Sequence, residues 1–286
     1  MYSKKILKRF FSVGLLLYAF VLMLPAQSKE SAFDSLDVAR LQVMYDLTYR
    51  EDTTHLEWAN KERMVLLVGN SVSDFESYGN YKLDRIRFEK MRDGTYPEWF
   101  TSNGGDFVGR YMFQVFKNHP EGKMTVTDHV FLTDKFKYEE DLNAFCWDIL
   151  DDTVSIEGYL CQKAMCDYGG RSWEAWFTEE LPFSDGPYKF HGLPGLILKV
   201  NDTRKHYCFN FVSIEVPEPG TNIEWHDVSY YGFDYIPTTR KGLFKVEDDL
   251  RENIMNHFDE RTSPDIQKRM YNVMQSRNNP IELDRK

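Results

Sequence analysis

Seven histidines are spread along the chain: His55, His119, His129, His191, His206, His226 and His257. No two have the spacing that sets a pair of imidazoles on one helical turn, so a helix-borne zinc site is excluded. A Gly-x-Ser-x-Gly elbow and a Ser-x-x-Lys pair are both missing, which removes the common serine nucleophiles. Carboxylates are plentiful, and Asp148, Asp151, Asp152, Glu179, Glu180 and Asp185 crowd one stretch. A glycosidase pair is defined by convergence in space, which spacing along the chain does not give. Asp151-Asp152 reads as turn chemistry and Glu179-Glu180 as a solvated loop. Three side chains stand out as candidate contacts: His191, Arg171 and Trp176. Each has a plainer role: a packed imidazole, a guanidinium paired with a carboxylate across a hairpin, and an indole covered by a C-terminal helix. The catalytic residue is unassigned, and no metal or cofactor is expected.

Four cysteines complete the reactive side chains: Cys146, Cys161, Cys166 and Cys208. The chain begins with Lys4, Lys5, Lys8 and Arg9, followed by an apolar run from Phe10 to Leu24 and then Pro25. Basic start, short apolar run and small residues at Ala26 and Ser28 make a secretory signal peptide over residues 1–28. Cleavage after Ser28 or after Ala26 fits the pattern. The run is shorter than the ~20 residues needed to span a bilayer. The mature chain, 29–286, is thus expected to be exported, periplasmic or extracellular, and not an integral membrane protein. An even cysteine count in such a compartment favours two disulfides, with three connectivities open. Cys161 and Cys166 are an odd number of residues apart, which disfavours their pairing on a continuous strand.

Charge narrows the partners. Lys and Arg number 35 against 45 Asp and Glu, a formal charge of −10. Loss of the four basic residues of the leader takes this to −14. Nucleic-acid affinity rests on cationic side chains neutralising phosphates, so nucleic acid is excluded as a partner. Aromatics are abundant, with 21 Phe, 17 Tyr and 6 Trp; so much ring area must be absorbed by a core or a binding face.

The elements that must position these groups are mostly strands. Leu41, Val43, Tyr45, Leu47 and Tyr49 alternate with mostly polar residues, the mark of a half-buried strand. Arg63–Gly69 reads as a second. Tyr81–Arg92 fits a short amphipathic helix or an irregular segment. Val108–Phe116 and Lys123–Leu132 read as strands flanking the turn cluster Asn118–Gly122. Ala144–Leu150 and Val154–Leu160 are expected to pair around Asp151-Asp152. Gly169-Gly170 supplies the positive φ of a primed hairpin turn, setting Tyr168 opposite Arg171, Cys166 opposite Trp173 and Ala164 opposite Ala175. Trp173 then belongs to the core and Glu174 to the other face. A further hairpin joins Leu196–Val200 to His206–Val212 through Asn201-Asp202. Val246, Leu250, Ile254 and Phe258, then Ile266, Met270, Val273 and Met274, follow helical spacing, with Ser263-Pro264 as a helix start. The expected fold is a single mainly β domain over 29–286. It is a curved antiparallel or half-barrel-like sheet, with C-terminal helices near 246–275 on one end or edge.

One stretch has an identity beyond its periodicity. Gly158-Tyr159, Cys161-Gln162-Lys163-Ala164, Gly170-Arg171, Ala175-Trp176-Phe177 and Gly186-Pro187-Tyr188-Lys189-Phe190 precede the hexapeptide Gly192-Leu193-Pro194-Gly195-Leu196-Ile197. In this order they resemble the GLPGLI family of exported Bacteroidetes proteins over Trp147–Val200. The ending Asn279-Pro280-Ile281-Glu282-Leu283 is similar to that family's as well. The resemblance implies export and brings no catalytic residue, since the family has no established biochemical activity. Physically, Gly192 and Gly195 permit positive φ or close backbone approach, and Pro194 forces Leu193 out of the helical region. The hexapeptide is either a fold-defining corner or a binding loop, and the corner is favoured.

The functional expectation is a non-enzymatic envelope protein that binds an apolar small molecule or an envelope protein partner. The alternative is a secreted or periplasmic hydrolase whose carboxylates or histidine come from distant parts of the chain. A continuous apolar concavity favours the first. A cleft with convergent, perturbed titratable groups favours the second.

Overall fold

The computed structural model describes residues 33–92, 94–95, 110–130, 133–226, 235–259 and 261–285. The expected leader, 1–28, lies outside these. Among the described residues, fourteen strands run in chain order as β1 (Phe33–Val38), β2 (Leu41–Tyr49), β3 (Asn60–Val68), β4 (Ser73–Ser77), β5 (Gln114–Lys117), β6 (Lys123–His129), β7 (Lys135–Asp141), β8 (Asp148–Ile156), β9 (Tyr159–Tyr168), β10 (Arg171–Thr178), β11 (Leu196–Asp202), β12 (Tyr207–Glu215), β13 (Asn222–His226) and β14 (Ile236–Pro237). Helix α1 (Tyr78–Arg92) follows β4, while α2 (Arg240–Asn253), a 3-10 turn (Ile254–His257) and α3 (Pro264–Gln275) close the chain. Twelve strands form one sheet in the order β14-β7-β6-β5-β4-β3-β2-β12-β11-β10-β9-β8, and β1 pairs with β13 separately. All pairs are antiparallel except β14 with β7.

The mainly β fold expected from the sequence is the fold observed, an open sheet rather than a closed barrel. Its curvature can be read from one contact. β7 and β9 are nine strand steps apart in the sheet, about 43 Å along it at strand spacing. Yet the Tyr168 hydroxyl of β9 lies 3.2 Å from a Glu140 carboxylate oxygen of β7. The sheet therefore curls until side chains of its distant strands meet. Its concave face holds the main core, with Tyr45, Leu47, Phe75, Trp173, Phe177, Phe190 and Phe209 fully buried. Each such side chain removed from water contributes about 1.5–3 kcal/mol. A smaller cluster of Met44, Val65, Leu67, Phe116 and Ile223 lies apart from it, against Tyr78 and Tyr81 of α1 and Trp225 of β13.

The strand register follows the local sequence closely at the glycine hairpin. Gly169 and Gly170 have φ of 62° and 74°, and Tyr168, Cys166 and Ala164 face Arg171, Trp173 and Ala175. Trp173 is 1% exposed. Elsewhere the turns move. Asp151 and Asp152 do not turn the chain; they occupy a register irregularity inside the continuous strand β8. The reversal is made by Glu157-Gly158, at φ of 48° and 91°. The turn after β11 falls after Asp202, because Asn201 and Asp202 are buried parts of the strand. Segment 81–92 is helical, and β7 has no counterpart in the expected elements. Ser263 caps α3, its hydroxyl accepting from the Ile266 amide at 3.4 Å, with Pro264 at the first helical position.

Candidate functional site

The hexapeptide is a packed corner. Leu193, Leu196, Ile197 and the following Leu198 are each no more than 1% exposed, while Gly192 and Pro194 face solvent. The positive φ belongs to Gly192, at 91°. Gly195 is required for a different reason: a Cβ there would lie 2.1 Å from the Thr178 carbonyl oxygen. The Leu196 amide donates to Leu181 at 3.0 Å and the Ile197 amide to Asp185 at 2.9 Å. The Ile197 carbonyl accepts from the Tyr45 hydroxyl at 2.8 Å. The segment thus ties two loops to the sheet.

The three singled-out side chains are engaged in packing. His191 places Nδ1 2.8 Å from the Lys189 carbonyl and Nε2 2.5 Å from that of Leu142. Burial lowers its pKa below the usual imidazole value. Trp176 donates Nε1 to Glu174 at 3.1 Å, under the Lys163 ammonium. Arg171, buried, reaches Asp202 at 3.0 Å, Asn279 Oδ1 at 2.7 Å and the carbonyls of Pro280 and Ile281 at 2.6 and 2.8 Å. The expected carboxylate partner is there, and with it the C-terminal tail.

The cysteines correct an expectation: Cys146, Cys161, Cys166 and Cys208 are all free thiols. Cys161 and Cys166 are five residues apart on β9, about 16 Å along an extended strand. Cys208 on β12 is three strand steps from β9, about 14 Å along the sheet. A disulfide needs Cα atoms within ~7 Å. Each of the three two-disulfide connectivities contains one of these separated pairs, 161–166, 161–208 or 166–208. Two disulfides therefore cannot form in this fold.

Around Lys189 the motif and the tail become one structure. The Lys189 ammonium, 0% exposed, lies 2.7 Å from Glu282, 2.5 Å from Glu140, and 3.0 and 3.1 Å from the hydroxyls of Tyr138 and Tyr168. Glu282 also accepts from the Tyr188 hydroxyl and from Arg240. Burial opposes its charge, but Lys189 and Arg240 hold its pKa below the usual carboxylate value. Lys117, likewise buried, bonds Asp185 and the Gly186 carbonyl, both at 2.5 Å. Gly169 and Gly170 give the tail room: a Cβ on Gly170 would meet the Asp284 backbone nitrogen at 2.9 Å.

Beside this latch lies a cavity of about 570 Å³ between the concave sheet face, α2, α3 and the tail. Phe113, Val126, Val130, Leu243, Leu250 and Met274 give it an apolar lining. Polar groups interrupt it, two carboxyls among them. Asp128 of β6 and Glu247 of α2 both have pKa values raised, first by burial and, for Asp128, by the charge of Glu247. Glu247 is bonded by Arg285 at 2.6 Å. In a separate part of the wall, Arg110 pairs with Glu51 at 2.7 Å, and Arg277 stands nearby. None of these cavity groups was singled out by sequence. The signals that reach this wall were the helical stripe that includes Leu250 and Met274 and the ending Asn279–Leu283, of which Asn279, Pro280, Ile281 and Glu282 line the cavity.

A family model described as a protein of unknown function, Porph_ging, matches residues 170–199. No curated protein matches the chain. Two solved structures of PNGF-II resemble it. The one in space group C2 has 13% identity and a TM-score of 0.44, covering 70% of this chain and 30% of PNGF-II. The one in P21 has 12% identity and a TM-score of 0.48, covering 73% and 33%. The chain spans about a third of the length of PNGF-II. Among the described residues no helix is long and apolar enough to cross a membrane.

Proposed function

We propose that this is an exported envelope protein that binds an apolar small molecule in the cavity between the curled sheet and the C-terminal helices. The carrying observation is the cavity itself: about 570 Å³ lined largely by aromatic and aliphatic side chains, within the range of small-molecule sites. The leader-like residues 1–28 support export. Membership of the GLPGLI family is supported by the matched stretch 170–199 together with the latch, in which Arg171, Tyr188 and Lys189 grip Asn279–Glu282. The hexapeptide, in this reading, is a corner that shapes the sheet beside the cavity and does not touch the ligand. The test is titration of the mature protein with an environment-sensitive apolar dye. The parent is expected to bind one equivalent, and Leu250→Trp, which fills the cavity, to lose binding while staying folded. Equal binding by both proteins would remove the ligand from this cavity.

A second reading is favoured by one observation: Asp128 and Glu247 are two carboxyls with raised pKa values in the same cavity. Such a pair is the acid–base equipment of a hydrolase. This reading expects turnover of some ester, amide or glycoside, lost in Asp128→Asn. The binding reading takes precedence because Glu247 is already engaged by Arg285 and Asp128 accepts the His129 amide at 2.7 Å.

A further inference from the structure

Arg277 is the least satisfied cation at the cavity wall. Its Nε is buried with no hydrogen-bond partner. Its Nη1 approaches only the Met274 sulfur, at 4.0 Å. Among the described residues no carboxylate forms an ion pair with it. Arg110 lines the same cavity and is close enough for its charge, after burial, to lower the Arg277 pKa. Two guanidinium groups thus stand together with one side-chain counter-ion, Glu51, bonded to Arg110 at 2.7 Å. Glu62 is turned to the backbone amides of Arg110 and Tyr111, at 3.0 and 3.3 Å. A half-buried guanidinium with an open donor is costly unless an acceptor meets it. Much of the remaining lining is apolar, and its other charged groups are engaged with one another: Arg251 with Asp248, Arg285 with Glu247, and Glu282 with Lys189 and Arg240.

Resting on the ligand-binding reading above, we propose that the cavity's occupant is an anionic amphiphile, with its apolar body along the Phe113, Val126 and Leu250 lining and its head between Arg110 and Arg277. Guanidinium groups match planar carboxylates and phosphates bidentately, so the head is one of these two.

The test uses three probes of equal chain length, dodecanoate, dodecyl phosphate and dodecanol, titrated into the full mature protein. At least one anion is expected to bind about tenfold or more tightly than dodecanol, and the better anion identifies the head. Arg277→Gln and Arg110→Gln should each erase that preference while leaving dodecanol affinity unchanged. Two variants are used so that failure of one to fold leaves the test standing. If dodecanol binds the parent as tightly as both anions, the anionic head is overturned and the apolar-ligand reading survives. If the parent prefers an anion and both variants keep that preference, the assignment to these arginines is overturned. If none of the three binds, the ligand-binding reading fails and the proposal falls with it.

Discussion

The Lys189 ammonium lies 2.7 Å from the Glu282 carboxylate, 93 residues away in sequence. Both groups are taken out of water, and a lone buried charge of either sign is unfavourable by several kcal/mol. The pair is tolerable because Tyr138, Tyr168, Tyr188, Glu140 and Arg240 complete its hydrogen bonds. The residues between Asp185 and Phe190 thus act as the receptor for the chain's own end, which in turn forms one wall of the cavity.

Lys189→Met is therefore expected to destabilise the protein by about 3–5 kcal/mol, because it removes the buried cation between Glu282 and Glu140 and leaves Arg240 alone to balance both carboxylates. Lys189→Met combined with Glu282→Gln should cost clearly less than the sum of the single changes. Urea denaturation of the four proteins measures this. Strict additivity would show that the pair is not coupled.

At the corner, Gly195→Ala is expected to destabilise by about 1–3 kcal/mol through overpacking, since its Cβ would collide with the Thr178 carbonyl. Leu193→Ala should cost about 2–5 kcal/mol as a buried leucine truncation. A Leu193→Ala protein with unchanged melting temperature and lost ligand binding would instead mark the hexapeptide as a contact loop.

Much of this architecture was legible locally. The Gly169-Gly170 turn fixed its hairpin register because two adjacent glycines at positive φ leave few alternatives. The alternation from Leu41 to Tyr49 gave a strand whose odd-numbered side chains are all buried. Where several turn formers competed, the reading failed. Asp151-Asp152 is as polar as a turn, but an exposed edge strand accepts polar residues equally well, and Gly158 supplied the stronger backbone preference. The cavity was not legible, since residues 110–113, β6, α2, α3 and the tail contribute to it from across the chain. The disulfide expectation failed for a similar reason: compartment and cysteine count say nothing of the distance between strands.

The thiols give a simple check of the sheet. Cys146 is exposed, whereas burial pushes Cys161 up to about 11 and Cys166 up to about 12. Since the thiolate is the reactive form, a maleimide at neutral pH should label Cys146 first in the native protein. Cys161 and Cys166 should react only on unfolding. Rapid labelling of either would contradict their placement.

Stability should also respond to pH through Asp128. Its folded pKa is raised to about 8, above the usual ~4 of an unfolded aspartate. Between these values the folded state binds more protons than the unfolded, so this group's contribution to stability is lost as pH rises. Asp128→Asn should therefore gain melting temperature relative to the parent between about pH 4 and pH 8. A gap that stays constant with pH would place Asp128 in a solvated setting.

The most direct test of the cavity's role is native mass spectrometry of the protein recovered without detergent from the cells that make it. A ligand-binding protein of this kind is predicted to carry a small molecule in one-to-one ratio. Leu250→Trp, prepared identically, should appear at its bare mass. A parent at its bare mass that also fails to take up any apolar probe would contradict the account.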